Sequence, residues 1–298
     1  MAEIFKIKKT PIITAELEDK EYPFFIKDFI NEFKDKYDLS IFYNNIKDIE
    51  LIPIDFNLME NKYATGEYDI FSNRIHYDPN MVRDAIMHEL LHIATRIRLK
   101  DGAIAGFMQV NEEEYGIGIG LNEGYTALMD DRYFIDYSDN KRTDANHVYP
   151  TSKYICTILE YLLGKEHMED LFMHSDLHTL FEELSQYSSP KRTYNFIINF
   201  DKLSLESDCK MHPNILKVRK YYEYIIMYLA ECFITKFQIM YSNKELSKEE
   251  YEQCLGFVRY FMDQNLNIHK ISLTRKLSKY INPLEDKVIN KLNKSRVK

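Results

Sequence analysis

The stretch DAIMHELLHIATR, Asp84 to Arg96, decides how this chain reads. Its centre is His88-Glu89-Leu90-Leu91-His92. Around it Met81, Ala85, Ile86, Leu90, Ile93 and Ile97 recur at helical spacing and predict a buried helix from about Pro79 to Lys100. Asp78 is the expected N-cap and Pro79 the first helical residue. Residues four apart on a helix share one face, one turn above the other, so His88 and His92 point the same way. Polar groups on a buried helix are costly unless something pairs with them. Two imidazoles at this spacing can grip one zinc ion, and Glu89 beside the first can reach a water in the ion's open position. The plainer alternative is two polar residues that share a helix face by accident.

A catalytic zinc site takes three protein ligands and one open position. The candidate third ligand is Glu123, in LNEGYTALMDD on a second predicted helix, set among Leu121, Gly124, Ala127 and Leu128. His147, His76, Asp130 and Asp131 are the rivals. Attack of a metal-activated water on a carbonyl also builds a negative tetrahedral intermediate that a Tyr or His can help to carry. His147, Tyr149 and Tyr154 are placed for this, and Tyr154 is preferred because it falls on a predicted helix.

HELLH followed by LNEGYTALM resembles the gluzincin branch of the HExxH zinc metallopeptidases, the thermolysin-like and aminopeptidase-like group. The resemblance covers about residues 60–135. It implies His88, His92 and Glu123 as zinc ligands and Glu89 as the general base. The chain departs from the group in three ways. The segment between His92 and Glu123 is longer than usual. Position 127 is Ala127, where thermolysin-like enzymes carry an acidic residue that orients a metal-bound histidine. No aminopeptidase substrate motif of the GAMEN kind is present, which leaves exo- or endopeptidase open.

Working outward, EIFKIKK alternates like a short strand, and YPFFIKDFINEFKDKYD carries Phe25, Ile26, Phe29, Ile30 and Phe33 at helical spacing. IKDIELIPIDF and KYATGEYDIF read as strands, with a hairpin from about Glu60 to Tyr77 whose edge suits an extended peptide. DGAIAGFMQVNEEEYGIGIG, about 101–119, is Gly-rich and reads as a loop; GIGIG has neither the lysine nor the preceding strand of a phosphate loop. From about Asn146 the pattern is helix after helix. It includes one helix over HMEDLFMHSDLHTLFEELSQY, a buried helix over YIIMYLAECFI and a capping box at Ser247 and Glu250. His167, His174 and His178 read as an exposed helix face.

The expected fold class is α+β. A small zincin-like lobe, residues 1–140, carries the hairpin and the HELLH helix, and an all-α region, 141–298, completes the cleft. The charge of −8 on 298 residues argues against a nucleic-acid partner held by bulk positive charge. No apolar run suits a signal peptide or a membrane span. Cys156, Cys209, Cys232 and Cys254 are far apart and form no C-x-x-C pair, so free thiols and a cytoplasmic location are expected. The expectation is therefore a zinc-dependent peptidase acting on peptide or protein substrates. Its competitors are a zincin fold that binds peptides without cutting them and a helical interaction protein without metal. Oligomeric state is not legible.

Overall fold

The computed structural model describes residues 24–54, 66–77, 82–113, 115–134, 149–210 and 212–266. The architecture is mixed α+β and mostly helical. Helices α1 (Phe24–Phe33) and α2 (Ser40–Ile46) lead into β1 (Glu50–Pro53), then β2 (Gly66–Asp69) and β3 (Arg74–Tyr77). β3 is central, parallel to β1 and antiparallel to β2. The pleat alternates as the residues demand. Ile75, opposite both Leu51 and Tyr68, faces the core, while Glu67 pairs with His76 and Arg74 with Asp69 on the other face. Among the described residues β2 is an edge strand, and α3 (Val82–Thr95) packs on β2 and β3.

α3 is shorter than its sequence pattern. It ends at Thr95, whose hydroxyl bonds back to the Leu91 carbonyl at 3.0 Å. Asn45 from α2 donates its amide to the Ile93 and Arg96 carbonyls, both at 2.8 Å, and so occupies the bonds that would carry the helix onward. The expected cap at Asp78 and Pro79 lies outside the described residues, as do the strand expected over EIFKIKK and the boundary near 140.

The segment read as a loop is a sheet instead. β4 (Ile97–Leu99), β5 (Gly102–Ala105), β6 (Met108–Asn111) and β7 (Gly116–Ile117) form an antiparallel meander in that order. Its strands of two to four residues are too short to show a period. The turn between β5 and β6 needs Gly106, at φ 50°.

Helices α4 (Ile119–Tyr133), α5 (Pro150–Leu163), α6 (Lys165–Met173), α7 (Leu177–Tyr187), α8 (Pro190–Ser207), α9 (Ile215–Ser242) and α10 (Lys248–Leu266) follow. The single helix expected over 167–187 is broken into α6 and α7 at Ser175, which sits at φ 54°. The Asp176 side chain then caps α7 by accepting the Thr179 N–H. The box at α10 closes both ways: the Ser247 N–H donates to Glu250 at 2.7 Å and the Glu250 N–H to the Ser247 hydroxyl at 3.2 Å. α9 buries Ile225, Ile226, Tyr228, Leu229, Phe233 and Ile234.

One hydrophobic cluster runs from Phe25 and Phe29 through Leu90, Tyr125 and Phe172 to Met262. Inside it lies a charged hub. One guanidinium nitrogen of Arg132 of α4 donates to both carboxylate oxygens of Glu160 of α5, at 2.8 and 3.0 Å, and the other terminal nitrogen pairs with Glu169 of α6. Tyr125 donates to Glu160, and Tyr133 and Tyr37 donate to Glu169. All four cysteines are free thiols. No helix among the described residues is long and apolar enough to cross a membrane.

Candidate metal centre

α3 carries His88, Glu89 and His92, and the helical spacing puts the two imidazole rings 5.0 Å apart. α4 brings Asn122 and Glu123 across from them. His88 Nε2 lies 3.4 Å from one oxygen of Glu123, and His92 Nε2 lies 3.6 Å from the other. The three ligand atoms all fall within 4.8 Å of one another. This is long for direct hydrogen bonding. It is close to the separation of roughly 3.4 Å between two ligands held at about 2.1 Å around a tetrahedral ion. Two nitrogens and one carboxylate oxygen are the donor set of a catalytic zinc, so the residues fit that ion. The charge of Glu123 is favoured by both histidines, which pull its pKa far below the usual range against the cost of burial.

His92 is gripped from behind. Asn122, fully buried, sits with Nδ2 3.1 Å from His92 Nδ1, and its Oδ1 accepts the Phe107 N–H at 3.2 Å. The turn after β5 thus reaches the centre through one amide. Asn122 thus contacts His92 where Ala127 offers no polar group, and its position directly before Glu123 in LNEG is its one sign in the sequence.

Glu89 reaches the backbone of β2. It is 6% exposed and accepts the backbone N–H of Tyr68 on that edge strand. Burial pushes its pKa up to about 8, the charges of Glu123 and Glu67 add to this, and His88 opposes it. Burial here thus favours its protonated form.

The tyrosines fall out differently from expectation. Tyr149 joins the group: its ring stacks on His88 with centroids 6.1 Å apart and planes 15° from parallel, and its hydroxyl donates to Glu123. The charge of Glu123 first, and burial second, hold that phenol well above its ordinary pKa. Tyr154, the preferred candidate, is 44% exposed. The reason is geometric. Tyr149 sits just before α5 at φ 50° and ψ 45°, which directs it at α3, whereas Tyr154 falls more than a turn into the helix. Of the rival ligands, His76 lies across from Glu67 on the outer face of the first sheet, Asp131 pairs with Lys153 at 2.6 Å, and His147 is outside the described residues. His167, His174 and His178 are each nearly half exposed and paired to Glu183, Asp170 and Glu182.

Two aspartates missed by sequence reasoning hold the helices that carry the site. Asp201 of α8 accepts the N–H of Gly118 at 3.0 Å and of Gly120 at 2.9 Å, at the start of α4. Asp208, just past α8, accepts the N–H of Ser152 at 3.1 Å and its hydroxyl at 2.6 Å, at the start of α5. Comparison of the chain with protein-family models, with curated proteins and with solved structures yields no match.

Proposed function

We propose that this chain is a zinc-dependent peptidase with a zincin-like lobe, and that His88, His92 and Glu123 hold the metal. The observation that carries the reading is the convergence of these three side chains from two buried helices, with Glu89 of the same HELLH run buried next to His88 in the chain. Zinc bound there supplies a Lewis acid and an activated water in its open position. Glu89 takes the proton from the water oxygen on its carboxylate and passes it to the leaving amine. The Tyr149 hydroxyl, aimed at Glu123 and stacked beside His88, is the donor placed to stabilise the developing oxyanion. The edge of β2 runs beside Glu89 and offers main-chain groups to an extended peptide, so peptides or proteins are the substrates this reading assigns. The four free thiols favour a reducing, cytoplasmic setting.

The first test is elemental analysis of purified protein, wild type beside Glu123→Ala. About one zinc per chain, lost or much weakened in the variant, is the expected result for a three-ligand site. Peptide hydrolysis by the wild type, absent from Glu89→Gln at equal zinc content, is the second. A wild type that takes up no zinc after reconstitution ends the enzyme reading.

A further inference from the structure

α8 is not itself part of the HELLH lobe, yet it touches both helices that complete the site. Asp201 and Asp208 are seven residues apart, two turns, so they lie along one side of the helix line about 10 Å apart. Each carboxylate meets the start of a different helix, where backbone N–H groups have no partner within their own helix. Asp201 takes two such groups of α4, and Glu123 follows Gly120 by less than one turn. Asp208 takes those of α5, directly after Tyr149.

The packing between these helices is independently close. A Cβ on Gly120 would come within 2.9 Å of the Phe200 carbonyl of α8, and one on Gly124 within 2.7 Å of the Ser152 backbone of α5. α4 is thus seated against α8 and α5 at distances that only glycine permits, and a small shift of either helix moves Glu123 or Tyr149. Charged acceptors on backbone donors are among the stronger hydrogen bonds; the Asp201 pair is buried and the Asp208 pair half-buried.

We infer that Asp201 and Asp208 are positioning residues of this centre, Asp201 setting Glu123 through the start of α4 and Asp208 setting Tyr149 through the start of α5. The inference rests on the zinc reading of the site. It makes α8 a brace with two separable outputs, one on metal affinity and one on turnover. Two ordinary helix caps would have no such division.

The test uses full-length Asp201→Asn and Asp208→Asn, which keep size and one acceptor oxygen, each alone and combined with Glu123→Ala or Tyr149→Phe. Zinc affinity is read by competition with a chelating dye and turnover on a peptide at saturating zinc. Asp201→Asn is expected to weaken zinc binding by about 10-fold, the low end of the loss for a direct outer partner, because it acts on Glu123 only through the backbone of α4. In the Glu123→Ala background it should weaken it no further. Asp208→Asn is expected to change zinc affinity by less than about threefold but to lower kcat, with no further loss when Tyr149 is already Phe. Hydrogen exchange on the metal-free proteins supplies a readout that needs neither zinc nor activity: faster exchange confined to the first turn of α4 in one variant and of α5 in the other. Equal losses of zinc affinity in both variants, or losses that add fully to Glu123→Ala, overturn the assignment and leave two structural caps. A wild type that binds zinc normally alongside an unaffected Asp201→Asn overturns it while the zinc reading stands. A wild type that binds no zinc overturns both.

Discussion

Asn122 Nδ2 lies 3.1 Å from His92 Nδ1, on the side of the ring opposite the nitrogen that faces Glu123. As placed, the amide donates to the imidazole and puts the ring proton on Nε2. Metal ligation through Nε2 requires that proton on Nδ1, so the Asn122 oxygen must then serve both His92 and the Phe107 N–H. Asn122→Asp presents acceptors to both and is expected to keep or strengthen zinc binding. Asn122→Ala leaves the Phe107 N–H buried without a partner and is expected to weaken zinc binding about 10- to 100-fold. It should also lower stability by about 1–3 kcal/mol. Dye competition and thermal melts check this, and an Asp variant weaker than the Ala variant contradicts it.

Glu89 predicts a pH dependence in the metal-free protein. Its carboxyl is raised from 4.5 to about 8, so the folded state prefers it protonated. Below about pH 4.5 folded and unfolded chains both hold the proton, and above about pH 8 both have lost it and the folded chain bears the cost of burying the charge. Stability from this group therefore falls as pH rises through that window. Glu89→Gln should melt higher than wild type near pH 8, with the gap closing towards pH 5. Zinc should also displace more protons from wild type than from the variant at pH 7, since a nearby cation favours the carboxylate. Calorimetry in two buffers reads the difference. Parallel melting profiles for the two proteins between pH 5 and 8 would show that Glu89 is not held protonated.

The two tyrosines separate cleanly. Tyr149→Phe keeps the ring stacked on His88 and removes only the hydroxyl, so kcat should drop about 100- to 1,000-fold if it stabilises the oxyanion, with zinc content near normal. Tyr154→Phe, on an exposed part of α5, should leave kcat within about twofold and stability within about 0.5 kcal/mol. The reverse ranking would restore Tyr154 as the candidate.

Arg132→Met removes the cation between two nearly buried carboxylates, those of Glu160 and Glu169. Breaking a buried pair from one side typically costs about 3–5 kcal/mol because a charge is left uncompensated. The melting temperature should fall sharply. The triple change with Glu160→Gln and Glu169→Gln should recover much of the loss, because no bare carboxylate remains. A single variant as stable as the wild type would mean that water already reaches this hub.

Much of the helical frame could be read from the residues. α3, α4, α9 and α10 carry strong spacing of apolar groups or a cap written into a few neighbours, as at Ser247 and Glu250. The second sheet could not, because strands as short as Gly116–Ile117 have no period and owe their shape to partners met only in the fold. At the site, His88, Glu89 and His92 follow from one helix turn, and Glu123 from its neighbour Asn122. A place on a helix favours Tyr154 in the sequence, whereas in the fold a left-handed residue just before the helix turns the Tyr149 ring inward. Asp201 carries no local sign at all, since its partners lie 81 and 83 residues earlier.

That separation sets an order of events during synthesis. The whole ligand set has been made once Glu123 leaves the ribosome, but Asp201, 81 residues beyond Gly120, has not. At about 5–20 residues per second the gap lasts roughly 4–16 seconds. During it, His88, His92 and Glu123 exist on a chain with nothing to seat α4. On the zinc reading proposed above, the ion would arrive at a nearly finished fold and would not organise it, unlike in the small zinc domains that collapse around their ion. Its removal by a chelator should lower the melting temperature and leave a folded, reloadable chain.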